Sequence, residues 1–101
     1  MPPESLKVKV VNNPEKDRFE VDNNGQLSVL EYQLKAGKIF LTHTEVPPDL
    51  EDKGLGSNLA HAAMEYARRS QLRVVPVCPF IQHYLDVHPE YNDLLSGSES
   101  A

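Results

Sequence analysis

A mixed-sheet α/β arrangement, in the α+β sense, is the fold class this sequence predicts. Three features point to it. Apolar residues alternate with polar ones through the first half, to Val46. One helical apolar stripe follows the glycine pair Gly54 and Gly56. A short apolar run, Arg73-Val74-Val75-Pro76-Val77, comes directly after that stripe. Strand–helix–strand order implies a right-handed crossover, so the last strand should lie parallel to the one before the helix.

The elements follow in order. Val8, Val10 and Val11 predict a first strand at about 7–12. Arg18-Phe19-Glu20-Val21-Asp22 alternates and reads as the second. Asn23-Asn24-Gly25 is a hairpin signal, because these residues tolerate the positive φ of a tight turn. Leu27 to Lys35 is the third strand, with Leu30, Tyr32 and Leu34 on one face. After the Ala36-Gly37 turn, Lys38 to Val46 is the fourth. Ile39 and Leu41 should lie on one side, and Phe40, Thr42 and Thr44 on the other. Pro47-Pro48 stops this strand, since proline donates nothing to a ladder.

Leu55, Leu59, Ala62, Ala63 and Tyr66 recur at helical spacing and predict a helix at about 56–70. Its alanines allow a close approach to the sheet. Arg68 and Arg69 sit at the end that the helix dipole favours for cations. The fifth strand follows at about 73–77. Pro79 opens a second helix to about Val87, with Phe80, Ile81, Tyr84 and Leu85 inward. Pro89 to Leu95 closes the chain as a turn or short helix. No repeat or linker divides the 101 residues, so one domain is expected, folded over about 7–95 with a polar tail at 96–101.

A net charge of −5 argues against a nucleic-acid partner, which normally meets a basic surface. The single cysteine, Cys78, excludes an intramolecular disulfide and suits a reducing setting. Neither a signal peptide nor an apolar run of spanning length is visible, so a cytoplasmic location without a membrane partner is expected. The four histidines show no metal-ligand spacing with Cys78 or the carboxylates, so no metal is expected.

Glu51-Asp52-Lys53-Gly54-Leu55-Gly56-Ser57 is the most informative stretch. A strand–Gly-x-Gly–helix junction leaves backbone N–H groups without intrahelical partners, and the dipole favours an anion there. The stretch is not a P-loop, and Leu59 stands where a dinucleotide fingerprint needs its third glycine. The glycines alone also suit plain turn and cap chemistry.

The wider pattern resembles the GNAT acetyltransferase superfamily, in particular its small stand-alone branch. Gly54 and Gly56 match the family's Arg/Gln-x-x-Gly-x-Gly/Ala loop. Three flanking segments resemble the small branch: Thr42-His43-Thr44-Glu45-Val46-Pro47, Val75-Pro76-Val77-Cys78-Pro79-Phe80 and His88-Pro89-Glu90-Tyr91. Glu51 departs from the pattern, because a carboxylate beside a diphosphate is repulsive. The resemblance implies an N-acetyltransferase using acetyl-CoA and an unidentified amine acceptor, and a monomer is expected. It implies that the diphosphate lies around Lys53, Gly54, Leu55, Gly56 and Ser57. The pantetheine arm would run along the fourth strand near Glu45 and Val46, where the fourth and fifth strands splay apart.

Acetyl transfer needs a base to neutralise the amine and a route for the departing thiolate. His43 is the base candidate, since imidazole ordinarily titrates near neutrality, and Glu45 shares its face and can orient it. Cys78 offers a covalent route if a helix N-terminus or a histidine promotes its ionisation. The Tyr84 hydroxyl is a possible proton donor to a thiolate, and Phe80 a possible cover for pantetheine. Plainer roles stay open: Cys78, Phe80 and Tyr84 also suit a core, His43 a buried carbonyl, and Glu45 a solvated surface. Two other functional readings compete. One is a non-catalytic CoA or acyl-CoA-binding module acting through a protein partner; the other is an interaction domain without a cofactor.

Overall fold

The computed structural model describes residues 9–95, apart from the side chains of Asp52 and Lys53. The chain forms strands β1 (Val11–Asn13), β2 (Arg18–Asn23), β3 (Gln26–Lys35) and β4 (Lys38–Glu45). A 3-10 segment, Pro48–Lys53, leads into helix α1 (Leu55–Ser70), strand β5 (Arg73–Pro76) and helix α2 (Pro79–Asp86). A second 3-10 segment, Pro89–Leu94, follows. The sheet order is β1-β2-β3-β4-β5, antiparallel as far as β4 and parallel between β4 and β5. This is the mixed-sheet class expected from the sequence.

Two tight turns hold the meander. Asn24 and Gly25 have φ of 55° and 88°, and the Gly25 N–H donates to the Asp22 carboxylate at 2.8 Å. Both central residues at positive φ match the right-handed twist of the flanking strands.

Cross-strand partners point to the same face. Phe19, Leu30, Tyr32, Ile39, Leu41 and Val74 turn to one side, where α1, α2 and Tyr91 cover them in a single core. Leu55, Leu59, Ala60, Ala63, Met64 and Ala67 form the buried stripe of α1. At its C-terminus Gln71 takes φ 57°, and the Leu72 N–H closes back on the Ala67 carbonyl at 2.9 Å.

Three expectations need correction. The first strand is Val11–Asn13 rather than about 7–12; Lys9 and Val10 precede it, and residues 7–8 lie outside the described residues. Val10 instead packs against the core edge. Leu34 shares the inner face of Leu30 and Tyr32 but is half exposed, one residue from the end of β3, where burial along the strand has given way to exposure. The third correction concerns β4. Glu31 pairs with His43, but Tyr32 pairs with Leu41. Thr42 is therefore an extra residue, a β-bulge, and the alternation reverses across it. Thr44 pairs with the buried Leu30 and joins the inner face of Ile39 and Leu41, not the side of Phe40.

Candidate active site

The bulge coincides with the end of the β4–β5 ladder. Parallel pairing stops at Leu41↔Pro76. The N–H groups of Val77 and Cys78 then both converge on the Leu41 carbonyl, at 3.1 and 2.9 Å. Beyond this point β4 continues to Glu45 with no strand among the described residues on its β5 side. The splay expected between the fourth and fifth strands is therefore present.

A cleft of about 300 Å³ opens beside this gap, lined by Thr44, Val46, Glu51, Gly56 and Phe80. Its walls come from the end of β4, the 3-10 segment and the first turns of α1 and α2. Gly54 takes φ 80° and turns the chain from the 3-10 segment into α1. The N-cap residue of α1, Gly54, has no side chain with which to cap the first turn. Such a helix start presents backbone donors and a positive dipole end. A bare α-carbon at Gly56 and this dipole suit a diphosphate; the Glu51 carboxylate on the same cleft opposes one.

Cys78 immediately precedes α2, and its carbonyl accepts from the N–H groups of Ile81 and Gln82 at 3.0 and 3.1 Å. Its thiol is buried, with Sγ 3.4 Å from the Thr44 Oγ1. Burial pushes the thiol pKa up. The Thr44 hydroxyl and backbone N–H groups of Ile81, Phe80 and Thr44 outweigh burial, so the net displacement is below the ordinary thiol value.

His43, Glu45 and Cys78 are the catalytic candidates of the sequence, and the structure divides them between two faces. His43 Nε2 lies 3.5 Å from Glu45 Oε1, and both side chains are more than half exposed on the outer face. Cys78 lies on the helix-covered side, and Thr44 is its partner. The bulge is the cause, because it turns Thr44 inward and sends its neighbours outward. No residue pattern announces such an insertion, so strand periodicity alone puts Thr44 on the side of Phe40 and away from Cys78.

The loop residues have separate roles. Leu55 buries its side chain in the core, so only its backbone is available there; Ser57 is exposed. Val46 lines the cleft. The Lys53 side chain lies outside the described residues. Phe80 lines the cleft and is 36 % exposed rather than core. Tyr84 is buried and stacks on His88 with ring centroids 4.1 Å apart; it is not among the cleft-lining residues. Burial pushes its phenol pKa up.

The family profile described as GCN5-related N-acetyl-transferase matches residues 18–94. This chain belongs to the GCN5-related N-acetyltransferase family. Among similar proteins, Protein NATD1 of Xenopus tropicalis is 33 % identical over 88 residues, 84 % of this chain and 81 % of that protein. Protein NATD1 of Mus musculus is 30 % identical over 95 residues, 87 % and 86 % of the two chains. A GCN5-like protein from Staphylococcus aureus, solved by NMR, shares the fold with a TM-score of 0.69 and 26 % identity. The match covers 94 % of this chain and 92 % of that one. The GCN5-related match spans every element from β2 through the second 3-10 segment. No group of three or more His, Cys, Asp or Glu among the described residues forms a metal cage. No helix among them is long and apolar enough to cross a membrane.

Proposed function

We propose that this chain is an acetyl-CoA-dependent N-acetyltransferase acting on an amine. One observation carries the reading: the cleft where β4 leaves β5 is bounded by an α1 N-terminus whose N-cap, Gly54, offers no side chain and whose second residue is Gly56. Backbone N–H groups of Leu55, Gly56 and Ser57 are the proposed holders of the diphosphate, and the free side of β4 near Glu45 and Val46 that of the pantetheine amides. The bound donor would supply an activated thioester.

The division across the bulge supports a reading in which the two substrates approach from opposite faces. Thr44 and Cys78 address the donor from the helix-covered side. His43 and Glu45 address the acceptor from the outer face through the same gap. There the imidazole removes a proton from the ammonium, and the Glu45 carboxylate stabilises the resulting imidazolium. The buried Cys78 thiol is the proposed nucleophile of a covalent route: burial opposes its ionisation, and the Thr44 hydroxyl and nearby backbone N–H groups favour it on balance. The proposed setting is cytoplasmic, in keeping with one unpaired cysteine.

Calorimetry with acetyl-CoA tests the site. The wild type should bind, and a Gly54→Val, Gly56→Val double variant should not; equal binding by both removes the proposed cradle. Intact-mass measurement after incubation with acetyl-CoA separates the routes: an acetyl group on Cys78 marks a covalent one, and turnover without an adduct marks direct transfer. CoA binding without turnover over a panel of amines would favour a binding module that works through a partner.

A further inference from the structure

Phe80 reaches from the first turn of α2 onto the first turn of α1. A Cβ placed on Gly56 would lie 2.8 Å from Phe80 Cζ, 3.2 Å from Cε2 and 3.4 Å from Cε1. Real Cβ atoms do not approach so closely, so the phenyl edge rests directly on the bare α-carbon. Gly56 is the second residue of α1 and its φ is not in the left-handed region, so alanine would fit its backbone and is the better helix former. Its own backbone does not require glycine; the ring does. The same ring lines the cleft on which Thr44, Val46 and Glu51 converge. A phenyl group has no acceptor for the N–H groups of the first turn, whose N-cap Gly54 has no side chain to offer them. It therefore occupies the cradle without satisfying the donors there.

We infer that Phe80 is a removable plug. In the free protein its ring is seated on Gly56, over the place that the diphosphate of the acyl donor takes, and it swings out when that donor binds. The inference rests on the acyl-CoA reading above. A partly exposed side chain can change rotamer far faster than a ligand dissociates. The ring therefore restricts affinity rather than access: the apparent dissociation constant rises by the inverse of the fraction of molecules with the seat open. Gly56 then serves two occupants in turn, a ring and an anion, both of which need its missing side chain.

Two measurements test this. The first is calorimetric affinity for CoA of the wild type, Phe80→Ala and Phe80→Leu, the last keeping apolar bulk on α2 should the alanine variant unfold. Unplugging should tighten binding about three- to tenfold. Unchanged or weaker binding by the variants, with the wild type binding, overturns the plug and leaves the acyl-CoA reading standing. No binding by any of the three defeats that reading and the plug with it. The second measurement is thermal melting of Gly56→Ala in two backgrounds. With Phe80 present, the added methyl meets the ring and should lower the melting temperature. In the F80A background the same methyl should raise it, through helix propensity alone. The same sign in both backgrounds would show that the ring is not seated there.

Discussion

The Thr44 hydroxyl and the Cys78 thiol stand 3.4 Å apart where β4 parts from β5, and neither the strand pattern nor the glycine loop places them together. Thr44 is one of the groups that hold the thiol below its usual pKa against the opposing effect of burial. Thr44→Val should move the pH midpoint of Cys78 alkylation upward. The sign for stability follows from linkage. A folded pKa below the unfolded one gives stability that is present above the unfolded thiol range and lost as pH falls through the folded value. The wild type should therefore gain on Thr44→Val as pH is raised. An unchanged alkylation midpoint would show that the hydroxyl does not act on the thiol.

Deleting Thr42 removes the bulge residue and leaves a regular ladder, in which Leu41, His43 and Thr44 keep Tyr32, Glu31 and Leu30 as partners. Thr44 should therefore still face Cys78, and the loss should be confined to the local twist and the Thr42 hydroxyl bond to the Glu31 carbonyl. Urea melts should show a cost of about 1 kcal/mol, with the pH midpoint of Cys78 alkylation unchanged. A shifted alkylation midpoint would show that the facing of Thr44 does not follow from this pairing.

Glu51 lines the cleft proposed for a diphosphate. One unit of like charge removed at near-contact distance is about 1 kcal/mol in a watery site. Glu51→Gln should therefore bind CoA about fivefold more tightly at low salt. The gain should shrink as added salt screens the charge. A weaker-binding variant would instead assign the carboxylate a contact with the ligand.

Tyr91 fastens the second 3-10 segment to α1. Its hydroxyl donates to Glu65 at 2.9 Å and meets His61 Nδ1 at 3.0 Å. Tyr91→Phe should cost about 1 kcal/mol in denaturant melts. Burial, then the Glu65 carboxylate, raises the phenol pKa. A raised folded pKa gives stability present below the unfolded value, about 10 for tyrosine, and lost as pH rises through the folded one. The gap between wild type and Tyr91→Phe should therefore close at strongly alkaline pH. A gap that widens there would contradict this sign.

Gly54 adopts φ 80° between the 3-10 segment and α1. Gly54→Ala places a Cβ in the left-handed region and should cost about 1–2 kcal/mol. Gly56→Val should act differently, through the ring of Phe80 rather than through φ. Equal effects of Gly54→Ala with and without Phe80, set against unequal effects at position 56, would separate the two glycines.

The meander, both turns, both helices and the parallel fifth strand were legible because each depends on local periodicity or on a turn residue. Asn24-Gly25 and Ala36-Gly37 supply positive φ where the hairpins need it, and the α1 stripe repeats at helical spacing. The candidate site was legible in its loop and in the nearness of Thr44-Glu45-Val46 to the splay. Its facing was not. Period two holds only while each residue has a partner, and Thr42 has none in the ladder.

The order of apolar and polar residues, with its glycines and prolines, was enough by itself to determine the mixed sheet, its crossover helix and the place of the glycine loop. Those features arise from interactions between near neighbours along the chain. Only tertiary structure decided that Thr44 rather than His43 meets Cys78, that Glu51 borders the cleft, and that Phe80 rests on Gly56. Each of those contacts joins segments 24 or more residues apart, or depends on a single unpaired residue in a ladder, and such geometry exists only once the sheet and helices have packed.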